Sequence, residues 1–170
     1  RLRVMREMAA ASRSSGPPHV FSLIDSGVRP DGRPYLVMER CDGGSLAQVL
    51  ESGELSAAEA VSIVSAVSSA LGAAHRAGVL HRDIKPGNVM ITTTGKVKVM
   101  DFGIARALTD SQATMTQSDA VVGTAQYLSP EQARGEQVDA RSDLYSTGCL
   151  LFELLTGRPA FKGDSAVAAA

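Results

Sequence analysis

The run His81-Arg-Asp-Ile-Lys-Pro-Gly-Asn88, followed by Asp101-Phe-Gly103, sets a carboxylate, an amine, an amide and a second carboxylate on two short loops separated by a strand hairpin. As a set, these groups can orient a hydroxyl nucleophile, neutralise a transferring phosphoryl group and hold a divalent cation beside it. Such a transfer passes through a loose transition state, so catalysis consists mostly of alignment and charge neutralisation. Taken alone, Asp83 reads as an ordinary solvated acid, and either tripeptide is weak evidence. The two together, in this order, are a strong signal.

The elements that must position these loops are legible from pattern. A helix is expected over Leu2–Ser12, broken by Ser14-Ser-Gly-Pro-Pro18. Val20–Ile24 and Tyr35–Glu39 are apolar runs around turn residues and read as an antiparallel strand pair. Ser45 is a candidate N-cap for a short helix through Leu50. The clearest helix is Ala57–Ala77: Ser56 and Glu59 form a capping box, Leu55 is placed for a hydrophobic staple, and Gly78 ends it. Its apolar face carries Ala60, Ile63, Val64, Val67, Leu71 and Ala74. Val89–Ile91 and Val97–Met100 read as two small strands, and residues 104–128 as a long functional loop. Ser142–Thr156 is apolar on nearly all sides and is expected to be central and buried. Strands early and helices late indicate an α+β fold with a sheet-containing part and a helical part.

Bulk properties exclude several classes. The 170 residues are 44% hydrophobic and 21% charged, an ordinary globular composition, and the net charge of −1 gives no pull toward nucleic acid or anionic membrane. Cys41 and Cys149 are the only cysteines, without CxxC or Cys/His clustering, which argues against a disulfide framework or zinc site. The N-terminus leads into no signal-peptide core. The stretch read as most apolar, Leu144–Leu155, is shorter than the ~20 residues of a membrane helix. Both ends read as cut within a longer domain.

These motifs resemble those of the serine/threonine protein kinases, most closely the eukaryotic-like branch found in bacteria, and the likeness runs through nearly the whole chain. It implies a bilobal kinase-like fold held as one partial domain, with residues 1–40 a remnant of the N-lobe and 41–170 the hinge and a truncated C-lobe. By that likeness Asp83 is the carboxylate that accepts or orients the substrate hydroxyl, Lys85 steadies the γ-phosphate of ATP, and Asn88 and Asp101 hold Mg2+ (or Mn2+). Tyr35-Leu-Val-Met-Glu-Arg-Cys-Asp-Gly-Gly44 looks like the last N-lobe strand and hinge. Met38 then guards the adenine pocket, and Glu39 and Cys41 offer backbone groups to the adenine edge. A core strand ending in a Gly-Gly turn is the plainer reading of the same residues.

The resemblance also implies that Glu7 pairs with an ATP-anchoring lysine, that Thr116 and Ser118 are activation-loop phosphosites, a phosphate on Thr116 pairing with Arg82, and that Thr124 bonds Asp83 and Lys85. Gly123–Glu131 is similar to the segment that docks the peptide substrate. There Ser129 stands for the usual alanine, a small-for-small change expected to matter little, and Glu131 lacks its usual arginine. Asp143 matches a buried carboxylate that holds the loop backbone. His81 is expected to pack beside Asp101–Gly103, while His19 and His75 read as surface or packing residues.

The implied activity is ATP-dependent phosphorylation of serine and threonine in proteins, with autophosphorylation in trans by a homodimer as a family expectation. The implied location is cytoplasmic, with no membrane or nucleic-acid contact by this segment and any anchor lying elsewhere. A pseudokinase scaffold is the alternative. A small-molecule phosphotransferase is disfavoured by the docking segment. No Gly-rich loop precedes Glu7 and the first lysine is Lys85, so the 170 residues alone are expected to be poorly stable and nearly inactive.

Overall fold

The computed structural model describes residues 17–53, 55–102 and 125–161; the helix expected over Leu2–Ser12 lies outside them. Strand β1 (Leu23–Val28) pairs antiparallel with β2 (Pro34–Met38), with the register shifting between Leu23 and Asp25. β1 starts later than its apolar run because that run is divided between two partners. Val20 bridges in parallel to Val99, Phe21 N–H donates to Val99 O at 2.9 Å, and Val99 N–H donates to His19 O at 2.7 Å. The second hairpin, β3 (Val89–Ile91) and β4 (Val97–Val99), is antiparallel with Val89 opposite Val99. Residues 19–21 therefore sew the two sheets together.

Between the hairpins stand two helices with matching caps. Helix α1 (Leu46–Ser52) begins at Ser45, whose hydroxyl accepts from Gln48 N–H while Gln48 returns its side chain to Ser45 N–H. Helix α2 (Ala57–Arg76) begins with the Ser56/Glu59 box. Each box satisfies N–H groups that a helix start leaves unpaired. Gly43 precedes α1 for a steric reason: a Cβ there would lie 1.9 Å from Ile91 O. Its neighbour Gly44 accepts from Ile91 N–H at 2.9 Å, so the chain leaving β2 is pressed onto β3.

One face of α2 buries Ala60, Ile63, Val67 and Leu71 at helical spacing, joined by Ala70, while Val64, Ala74 and Leu55 pack at the margin. This helix is also long and apolar. By length and mean hydropathy, 1.5 over its best window, it passes the test for a membrane span. Its buried stripe instead lies against β4 and the last helix.

After the short helix α3 (Pro130–Ala133), helix α4 (Ala140–Thr156) starts two residues earlier than expected, because Asp139 accepts from Arg141 N–H and caps it. Gly157 ends it at φ 68°, a left-handed conformation that costs glycine little. α4 packs on α2 through Leu150 and Leu154. The helix is buried on its α2 side only: Leu144, Phe152 and Leu155 are exposed. Close by, the ring of Phe161 stacks on Tyr145.

Two members of the common core, Ile84 and Phe102, come from the loops that carry the chemistry. Their burial anchors those loops to α2 and α4.

Candidate active site

Ile84 and Pro86 are buried, while Asp83 and Lys85, which alternate with them, are partly exposed on the loop's open side. Asp83 and Lys85 meet there, Nζ to Oδ2 at 2.9 Å. Asn88, at the end of the 3-10 turn Pro86–Asn88, donates from Nδ2 to Asp83 O at 2.7 Å and to Asp83 Oδ2 at 2.9 Å. Three chemically able residues thus form one hydrogen-bonded cluster. Asp83 still has 39% of its side chain accessible, enough for an incoming hydroxyl to reach the carboxylate.

The backbone beneath the cluster is held by a buried acid. Asp143, at the start of α4, accepts from His81 N–H at 2.9 Å on one oxygen and from Arg82 N–H at 2.7 Å on the other. His75, at the end of α2, completes its shell at 2.7 Å. Arg82 has φ +68° and Asp101 φ +62°, left-handed conformations that cost a non-glycine residue energy and persist only where surroundings enforce them.

His81 links both loops. Its Nε2–H donates to Met100 O at 2.8 Å, its Nδ1 accepts from Asp83 N–H at 3.2 Å, and its ring meets Phe102 edge-on at 4.7 Å. Burial pushes its pKa down, against the opposing pull of the Met100 carbonyl and of Asp143, Asp83 and Asp101. The β3–β4 register continues through Met100 N–H to Asn88 O at 3.0 Å, so Asn88 and Asp101 emerge from the same end of one hairpin. Asp101 is exposed there, directly before buried Phe102.

At the other side of the hairpin, β2 ends in Met38 and the chain turns through Glu39 and Cys41. Glu39 N–H donates to Ser22 O at 2.9 Å. Its carboxylate accepts from Ser22 N–H and from Lys98 Nζ, each at 2.8 Å, and Lys98 also reaches Val20 O at 3.2 Å. Burial would raise the Glu39 pKa, but these donors outweigh it and hold the carboxyl below its usual range. The resemblance assigns Glu39 only a backbone role, and Lys98, 59 positions away, carries no local signal of this partnership. Among the described residues the Glu39 carbonyl and Cys41 N–H have no backbone partner, which leaves that edge open.

Glu7, Thr116, Ser118 and Thr124 lie outside the described residues. The end of the docking-like segment is well tied down. Tyr127 donates its hydroxyl to Glu153, Ser146 Oγ donates to Tyr127 O at 2.6 Å, and burial together with Glu153 drives the Tyr127 pKa upward. Glu131 accepts from Ser142 Oγ, a hydrogen bond that keeps its carboxyl ionised to lower pH.

Ser129 corrects an expectation. It is fully buried, caps α3, and shares a reciprocal box with Gln132, whose Nε2 donates to Arg82 O at 2.8 Å. A hydroxyl in place of a methyl is here a structural bond. The signal was present in the sequence as S-x-x-Q, the same pattern that marks α1. His75 was likewise undervalued, because nothing local reveals a partner in α4.

For a metal, the relevant donors are hard oxygens: the Asp101 carboxylate and the oxygen of Asn88, whose nitrogen is committed to Asp83. Among the described residues no group of three or more His, Cys, Asp or Glu could hold an ion alone. That set fits Mg2+, which is commonly bound by one or two protein oxygens and completed by phosphates and water.

The paired hairpins and the buried acid of this α+β fold thus support a carboxylate–lysine–asparagine cluster. The protein kinase domain matches residues 2–169, and the chain belongs to that family. It is 56% identical over 169 residues to a probable serine/threonine-protein kinase of Streptomyces coelicolor, covering 97% of this chain and 25% of that protein. It is 54% identical to the probable serine/threonine-protein kinase PknB of Bifidobacterium longum and 49% identical to the serine/threonine-protein kinase PknB of Mycobacterium tuberculosis, covering 99% of this chain in each case. The chain spans about a quarter of the length of these curated relatives: 26% of the first PknB and 28% of the second.

Proposed function

We propose that this chain carries the hinge and catalytic loop of an ATP-dependent protein serine/threonine kinase, with residues up to 40 belonging to the N-lobe and the rest to the C-lobe. The observation that carries this reading is the cluster in which Lys85 and Asn88 converge on Asp83. Asp83 orients the substrate hydroxyl and receives its proton as the oxygen attacks the γ-phosphorus and the bond to the β-phosphate oxygen breaks, releasing ADP. Lys85 bridges from that carboxylate toward the γ-phosphate oxygens, neutralising charge where it accumulates. Asn88 and Asp101 hold Mg2+, which when bound screens the phosphate charge. The hinge at Met38–Cys41 receives adenine on the open edge at Glu39 and Cys41.

The docking segment that ends at Glu131 favours protein over small-molecule acceptors, and Thr124 would select serine and threonine. Thr116 and Ser118 are the candidate phosphosites that would order the loop through Arg82, while Glu7 would pair with a lysine upstream. The cytoplasm, where ATP is abundant, is the expected compartment.

The test compares phosphate incorporation by the full-length protein with that of its Asp83→Asn and Asp101→Asn variants. Each substitution is expected to reduce kcat by about a hundredfold or more, in keeping with the ~2.7–4 kcal/mol typical of a group acting only in the transition state. Equal incorporation by all three proteins would remove the mechanism.

A further inference from the structure

The peptide between Arg82 and Asp83 is held from both sides. Its N–H donates to His81 Nδ1 at 3.2 Å and its carbonyl accepts from Gln132 Nε2 at 2.8 Å. Arg82 itself sits at φ +68°, so this peptide plane does not rest in a broad backbone minimum. Gln132 is buried and its amide is unambiguous: Oε1 accepts from Ser129 N–H and Ser129 Oγ, each at 3.1 Å, which leaves Nε2 facing the carbonyl. Gln132 lies in α3, immediately after the docking-like segment, fifty positions from Arg82.

From this geometry we infer that Gln132 is a positioning residue. It fixes the peptide that aims the Asp83 carboxylate, and so couples the seating of the peptide-docking segment to the orientation of the catalytic loop. The inference rests on the transfer reading of Asp83 given above. An amide is required here, and no other neutral group of this length does both tasks. The oxygen half closes the helix cap, while the nitrogen half reaches across to the loop. A carboxylate of the same shape would satisfy Ser129 and present an acceptor to an acceptor at Arg82 O. Gln132→Glu therefore separates the bond to the loop from the cap.

The experiment uses the full-length protein, with Gln132→Glu, uncharged Gln132→Met and Asp83→Asn beside wild type. It reads kcat and KM for a serine-containing protein substrate, Mg-ADP affinity, and deuterium exchange in the peptide carrying residues 81–85. Gln132→Glu is expected to lower kcat by about tenfold to a hundredfold, the scale of a small misplacement of a reacting group. Mg-ADP affinity should be kept and exchange at the Asp83 N–H quickened. The deficit should shrink as pH falls, because a protonated carboxyl regains a donor toward Arg82 O; a merely structural lesion would not recover with acid. If the charged variant fails to fold, Gln132→Met is expected to give the same kcat loss without the pH recovery.

A kcat within twofold of wild type for either folded variant overturns the inference, as does unchanged exchange at Asp83. Should wild type and Asp83→Asn transfer phosphate equally, the transfer reading fails instead. The exchange measurement then still decides whether Gln132 holds the loop.

Discussion

At the scale of single residues, the cluster around Asp83 depends on groups buried behind it. Asp143 is fully buried, yet its two oxygens are occupied by the N–H groups of His81 and Arg82 and by His75, so the charge is compensated. Ser129 shows how a small change of type matters when it is buried. Replacing it with alanine removes the hydroxyl that Gln132 N–H donates to and leaves Gln132 Oε1 with the Ser129 N–H alone. Ser129→Ala is expected to destabilise the domain by ~1 kcal/mol, within the range for losing an N-cap. A urea melt should show a lower midpoint at unchanged slope; an unaltered midpoint would mean that the capping box contributes nothing. The sequence pattern announced this box as plainly as those of α1 and α2. The family's usual alanine has no hydroxyl for such a box.

At the scale of elements, local signals were readable and long-range ones were not. The caps at Ser45 and Ser56, the spacing of Ala60, Ile63, Val67 and Leu71, and the β3–β4 hairpin all follow from residues a few positions apart. The division of Val20–Ile24 between two sheets does not, because its second partner, Val99, is remote in sequence. Lys98 was passed over for the same reason. It sits on β4 opposite Met90, yet its ammonium reaches back to Glu39 and Val20 O, tying the end of β2 to the strand that leads into Asp101. Both partners are about a quarter exposed, 21% for Lys98 and 31% for Glu39, so solvent screening limits the bond to ~1 kcal/mol. On the proposed kinase reading, Lys98→Met should therefore weaken ATP binding by about fivefold through a loosened hinge, with kcat at saturation little changed. Calorimetric titration of a non-hydrolysable ATP analogue checks this, and unchanged affinity would confine Lys98 to a surface role.

At the scale of the whole molecule, one histidine joins most of these parts, and its protonation sets a pH limit. His81 must be neutral to do what the structure assigns it: Nε2–H donates to Met100 O, and Nδ1 needs a free lone pair for Asp83 N–H. Burial favours that neutral form and holds the pKa below its ordinary value near ~6.5. In the unfolded chain the imidazole takes up a proton near ~6.5, so below that pH the unfolded state binds more protons than the native one. Stability from this group is accordingly complete above ~6.5 and is lost as pH falls from there through the lowered native pKa, at ~1.4 kcal/mol for each unit of depression. Glu39 and Glu131, whose pKa values are also held down, add loss of the same sign only at lower pH, beneath their ordinary value of 4.5. Mild acid should thus reach the catalytic loop before it reaches the hinge. The His81 Cε1 proton resonance is expected to stay flat through pH 6.5 and to move only further into acid. Amide exchange at Asp83 should accelerate over that same interval, because a protonated Nδ1 can no longer accept its N–H. A His81 midpoint at or above 6.5 would reverse the sign of the effect and detach the loop's acid sensitivity from this residue.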